Sequence, residues 1–302
     1  MAIRVTSGMM SMQMLSNLNR NLNRMDNMSN QISTGRKINK PSDDPVGVTY
    51  ALRYRAELAA NEQYQSNTDA AVSWLDATDS NMQQALDVAK RLKELAVQGS
   101  NGTLSDSDLE AVNLEVEELK KHLVDIGNTQ IRGKYIFNGQ TYDKAPYELS
   151  GAVTDYADVE TDKQGVLYSI SEQVTFQINT SGSDFFGNKG DADNIFAIID
   201  NLSTALNSGD RAGVQQQLQN IESRSTKMQA ALSEVGARAN RVELVQNRLN
   251  DQNLNFTTLQ SKTEDADVAS LMIQATSAQT IYEASLKSSA QIMQPSLMDF
   301  MR

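Results

Sequence analysis

Apolar or small residues recur at Val214, Leu218, Ile221, Ser225, Met228, Leu232, Val235, Ala239, Val242 and, past the polar Gln246, Leu249. Steps of four and three alternate without a slip, which is the seam of a helix that packs on a partner helix. Most positions off the seam are Gln, Asn, Ser, Arg or Glu, and a face this narrow cannot enclose a core by itself. The partner therefore lies elsewhere in the chain or in another copy of it. Leu15, Leu18, Leu22, Met25, Ser29 and Ile32 repeat the spacing and predict a second narrow-seamed helix over about residues 8–34. The Asn-rich run Asn17 to Asn30 has poor helix propensity, so this helix is expected to form fully only when docked.

Thr34-Gly35 ends that helix, with glycine free to take the left-handed cap. The connector from Arg36 to Pro45 is turn-rich, and Asp43 and Asp44 read as an Asx turn or a helix cap rather than metal ligands. The helical pattern resumes at Val46 and, with a break, runs through Val72, Leu75, Met82, Leu86, Leu92 and Leu95. After the loop Gly99 to Thr103, Ser107 with Glu110 predicts a capping box. The helix it opens carries Leu109, Val112, Val116, Leu119, Leu123 and Ile126.

Residues 133–192 hold nine of the seventeen aromatics, and Val166, Tyr168, Ile170, Val174, Phe176 and Ile178 alternate with polar residues. That is the period of half-buried strands. Ile195, Ile198, Ile199, Leu202 and Leu206 restart a helix. The long C-terminal pattern continues or kinks through Val268, Met272 and Ala275 to Met293, with Pro295 expected to end it. The short apolar tail Ser296 to Arg302 reads as an interface.

The expected fold is mainly α with an inserted β-rich domain, its discontinuous N- and C-terminal helices pairing as a coiled-coil bundle. Residues 1–40 with 266–302 form the terminal assembly segments, 41–132 with 193–265 a helical bundle, and 133–192 the insert.

Charge narrows the partners. The net formal charge of −11 argues against nucleic acid and anionic lipid, although the first 60 residues are locally basic and suit an acidic surface or a solvated face. No cysteine is present, which excludes disulfides and thiolate sites. No apolar run is long enough to span a bilayer, and Ser7, Ser11, Gln13 and Ser16 interrupt any signal-peptide core, so membrane insertion and the ordinary secretory route are not expected. The single histidine, His122, has no second ligand beside it. No phosphate loop, dinucleotide fingerprint, zinc motif or nucleophile elbow occurs. Glu264-Asp265 with Asp267 reads as charged surface, because neighbours one or two apart on a helix do not face each other. The expectation is a protein without catalysis, metal or cofactor.

Three motifs carry a resemblance. Gln31-Ile32-Ser33-Thr34-Gly35-Arg36-Lys37-Ile38 with Pro41 to Gly47, then Arg91 to Gln98 with Asn101-Gly102-Thr103, then Lys262-Thr263-Glu264-Asp265-Ala266-Asp267 resemble, in order, the signatures of the bacterial flagellin superfamily. Tyr135 to Gly139, Asp184-Phe185-Phe186-Gly187 and the terminal Leu297-Met298-Asp299-Phe300 resemble those members that join hook to filament; a short filament subunit is the alternative.

The resemblance implies export without a cleaved signal peptide through the flagellar type III apparatus. It also implies an export chaperone on about Val242 to Arg302, and assembly with copies of itself between a hook-associated protein and flagellin. The expected assembly contacts are Leu15, Leu18, Leu22, Met25 and Ile32 with Leu271, Ala275, Tyr282, Leu286 and Met293. Arg91, Glu94 and Leu95, with Glu115, are the expected subunit-contact block; their region also resembles the one that innate immune receptors read in flagellins.

Overall fold

The first described helix, α1 (Ser7–Thr34), stops where Gly35 takes a φ of 67°, a conformation glycine adopts without steric cost. The computed structural model describes residues 7–101, 104–149 and 154–293; Pro295 and the tail 296–302 lie outside these, as do the side chains of 291–293.

Helix α2 (Pro45–Gly99) opens with proline at its first position, where the missing N–H costs nothing. Asp44 Oδ1 caps it, accepting from the N–H groups of Val46 and Gly47 at 3.1 and 2.9 Å. The expected break does not occur, and the helix runs 55 residues. The reason is a heptad of buried positions, Asn61, Thr68, Leu75, Met82, Ala89 and Ala96. Its polar members Thr68 and Asn61 are each tied to a backbone carbonyl, although Asn61 Oδ1 is buried without a partner. The Thr68 hydroxyl donates to Tyr64 O at 2.7 Å, and Asn61 Nδ2 donates to Leu249 O at 2.9 Å.

Helix α3 (Asp106–Gly127) is capped two residues earlier than expected, by Ser105 with Asp108 in place of Ser107 with Glu110. The shorter aspartate reaches back to the Ser105 N–H as a glutamate would, which the usual sequence signature does not show.

The middle of the chain has fewer strands than alternation suggested. It holds two antiparallel hairpins, β1 (Gln130–Ile131) with β2 (Lys134–Tyr135) and β3 (Leu167–Ser171) with β4 (Val174–Gln177). Side chains elsewhere take over from strand ladders in satisfying the backbone. Asn138 Nδ2 donates to the carbonyls of Thr141 and Lys144, and Asp162 Oδ2 accepts from the Gln140 N–H. A short helix α4 (Gly182–Phe186) and then α5 (Ile195–Ser208) follow, the latter capped by Asn194. Helix α6 (Arg211–Glu264) and helix α7 (Val268–Met293) complete the chain.

By contacts the chain divides into residues 1–60 with 252–302 and residues 61–251. The larger unit has one continuous core. Val214, Ile221, Met228, Val235 and Val242 of α6 lie in it at seven-residue intervals, together with Phe137, Phe185 and Phe186 from the middle region and Phe196 of α5. The region 133–192 thus shares its core with helices instead of closing one of its own, and the boundary falls at 60 and 252 rather than 40 and 266. The aromatics explain this. Phe186 stacks edge-on against Phe137, Tyr147 and Phe185, with ring centroids 4.9–5.5 Å apart, and meets Phe196 at 5.8 Å, so the insert's largest apolar groups are buried against α5.

Candidate functional site: the paired terminal helices

In the smaller unit α1 packs on α7. The inward positions of α1 are Met14, Leu18, Asn21, Met25, Met28 and Ile32, and those of α7 are Leu271, Ala275, Ala278, Tyr282, Ser285 and Ser289, all buried or half-buried. Leu18, Met25 and Ile32 therefore lie in this seam, as do Leu271, Ala275 and Tyr282. Leu15, at 59% exposure, and Leu22, at 40%, do not; nor does Leu286, which is exposed. Met293 lies outside the described side chains. The misreading is one of phase. Registers 14-18-21-25-28-32 and 15-18-22-25-29-32 share three positions, and leucines at 15 and 22 outrank Met14 and Asn21 in hydropathy, so sequence favours the second.

The unit is poorly closed. Among the described residues only Met28, Ile38, Ala51 and Ala278 are buried apolar side chains in it, whereas fifteen of the twenty large exposed apolar side chains belong to it. Met9, Met10, Met12, Leu15 and Leu22 on α1, and Met272, Ile273, Ile281 and Leu286 on α7, are among them. Apolar surface of this extent marks an interface.

Two of the signature motifs meet in this unit, at a residue the sequence reading missed. Glu264 is 1% exposed, not surface. Arg55 grips it at two points, Nε donating to Oε1 at 2.8 Å and a terminal nitrogen to Oε2, while Arg36 Nε lies 3.7 Å from Oε2. The backbone joins as well. Lys37 N–H donates to Glu264 O at 2.6 Å, Ala266 N–H to Gly35 O at 3.0 Å, and Arg36 pairs with Asp265 as an isolated bridge. Hydrogen bonding to the Glu264 carboxylate raises the Arg55 guanidinium above its ordinary value against the cost of burial. Asp267 Oδ1 accepts from the Ser270 N–H at 3.1 Å and so starts α7. A signal existed in the sequence: both helix breaks, Gly35 and Asp265 to Asp267, carry opposite charges.

The Arg91 block is in the larger unit. Arg91 Nε donates to Glu115 Oε1 at 2.7 Å and a second nitrogen to Oε2 at 3.2 Å, with Glu94 at 2.8 Å. These three are brought together at the surface. Leu95 is buried in the core. Within the larger unit Arg224 was also missed. It is buried, donating to Asp193 O at 2.5 Å and Oδ1 at 2.6 Å, beneath Gly187.

Among the described residues no group of three or more His, Cys, Asp or Glu side chains is placed to hold a metal, His122 is exposed, and no helix is long and apolar enough to cross a membrane.

Residues 5–141 match the bacterial flagellin N-terminal helical region and residues 218–301 the bacterial flagellin C-terminal helical region. The flagellar hook-associated protein 3 of Escherichia coli (strain K12) is 24% identical over 84% of this chain and 87% of that protein. The flagellin of Bacillus subtilis (strain 168) is 23% identical over 97% of each. In fold, the crystal structure of flagellar hook-associated protein-3 from Legionella pneumophila superposes with a TM-score of 0.62 at 16% identity, covering 69% of this chain and 97% of that one. With both terminal regions of one family matched in order, and their signatures joined at Glu264, the chain belongs to the bacterial flagellin family.

Proposed function

We propose that this protein is a structural subunit of the bacterial flagellum that forms the junction between hook and filament by self-assembly of its terminal helices. The observation that carries the reading is the smaller unit itself. Its ends are tied by Arg55 and Glu264, yet its apolar side chains remain mostly uncovered, so burial is completed by neighbouring copies. The similarity to hook-associated protein 3 over most of both chains supports the junction role. The partners are further copies, a hook-associated protein on the hook side, flagellin on the filament side, and an export chaperone that holds about Val242 to Arg302 in the cytoplasm. The protein acts outside the cell, exported without a cleaved signal peptide, and performs no catalysis.

The full-length match to a flagellin favours a second reading, a short filament subunit. Seeding with hook or filament fragments, followed by electron microscopy, separates the two. A junction protein caps or joins fragments and stops; long filaments grown from this protein alone would establish the second reading.

A further inference from the structure

The chain has thirteen methionines and no cysteine, so thioethers are its only sulfur. Eleven of the thirteen fall in residues 1–60 and 252–302, although that unit holds little more than a third of the chain. The two in the larger unit, Met82 and Met228, are fully buried in its core. In the smaller unit the pattern is reversed. Met9, Met10 and Met12 on α1 and Met272 on α7 are between 46% and 69% exposed, and side chains so open are within reach of a small solute. Met12 lies one turn before Leu15 on the same face of α1, and Met272 one turn after Val268 on α7. Both neighbours are exposed and apolar. These four methionines therefore belong to the surface that, on the proposed function, neighbouring copies cover.

A thioether packs as an adaptable apolar side chain until it is oxidised, when the sulfoxide adds a polar, chiral S–O group. We propose that Met9, Met10, Met12 and Met272 are oxidation sites through which peroxides switch assembly off, a reading that rests on the assembly function above. The sulfur lone pair attacks one peroxide oxygen, and the O–O bond breaks as the S–O bond forms. The displaced oxygen leaves, after proton transfer, as water or the corresponding alcohol; sulfur is oxidised and the peroxide reduced. Burying each new oxygen against a neighbouring copy without a donor carries the desolvation cost of an unsatisfied acceptor, so the modified surface no longer closes. Assembly protects the sulfurs it covers. Met82 and Met228 stay reduced inside their core, and the larger unit keeps its fold through the modification. Because a sulfoxide is reducible by methionine sulfoxide reductases, the switch is reversible.

Unassembled full-length chain treated with hydrogen peroxide, then digested and mapped by mass spectrometry, should carry one added oxygen at Met9, Met10, Met12 and Met272 well before Met82 or Met228 changes. In a seeded sedimentation assay the oxidised chain should need about tenfold more protein to assemble, and a methionine sulfoxide reductase should restore it. The melting temperature of the larger unit should not move. The combined variant Met9→Leu, Met10→Leu, Met12→Leu and Met272→Leu should assemble alike before and after peroxide. Met12→Gln with Met272→Gln, a polar side chain of similar length, should reproduce the loss with no peroxide added, which tests the inference even if the leucine variant packs poorly. It is overturned if the oxidised parent assembles as the untreated one does, if peroxide inactivates the leucine variant equally, or if the glutamine pair assembles normally. A parent that fails to assemble without peroxide removes the proposed function, and this inference with it.

Discussion

Arg55 and Glu264, 209 residues apart in sequence, form a two-point ion pair in which the carboxylate is fully buried and the Arg55 side chain is 41% exposed. The pair closes the chain on itself where α6 ends. Removing one partner of a buried pair costs roughly 3–5 kcal/mol, and the exposure of Arg55 reduces this to about 1–3 kcal/mol. Arg55→Ala is therefore expected to speed amide exchange in 9–60 and 252–290 and to impair assembly. The thermal transition of the larger unit should stay where it is. A shift of that transition by the same amount would contradict the division into units.

Leu15 and Leu18 are three residues apart and have opposite fates. Leu15→Asp should leave the monomer's helicity unchanged, because the leucine is exposed, and should block assembly on the proposed function, in which a neighbouring copy covers it. Leu18→Asp should lower helicity already in the monomer, since it faces the α1–α7 seam. Circular dichroism of each variant at low concentration, beside a sedimentation assay of assembly, distinguishes them. Equal loss of helicity in both would place Leu15 in the seam.

Acid should unlock the larger unit at Asp193. Burial pushes its carboxyl up, but hydrogen bonds from Lys227 and Ser223 and the charge of Arg224 outweigh this and hold it below the usual aspartate value. A depressed folded value means the stabilisation is fully present above the unfolded value of about 4 and is lost as pH falls through the folded one. The melting temperature of the larger unit should fall below about pH 4, and Asp193→Asn should flatten that part of the profile while lowering stability at pH 7. Arg224→Leu should cost about 1–3 kcal/mol, less than the roughly 3–5 kcal/mol of a buried pair broken outright, because Lys227 and Ser223 still hold the carboxylate.

Gly187→Ala should destabilise the larger unit. Its φ is 117°, and an added Cβ would lie 2.6 Å from Asn194 Cα and 3.0 Å from an Arg224 nitrogen. Backbone strain alone is worth about 1–3 kcal/mol, readable as a shifted urea midpoint. Gly190→Ala, at φ 80° with open space around it, should cost less.

The chain's own pattern determined which segments become helices, because a three-four spacing of apolar teeth on α1, α3 and α6 is a local property that needs no partner to be read. It likewise placed caps such as Asp44 and Gly35, whose chemistry acts over a few residues. Tertiary structure decided the rest. Which face of α1 turns inward was decided by packing on α7, which half-buries Met14 and buries Met28 while leaving Leu15 exposed. Glu264 became a buried anchor only because α2 delivers Arg55 to it, and the insert's phenylalanines joined the helical core because α5 offers Phe196. Such pairings join residues far apart in the chain. A local pattern shows that a side chain wants burial or a counter-charge, and only packing supplies which neighbour provides it.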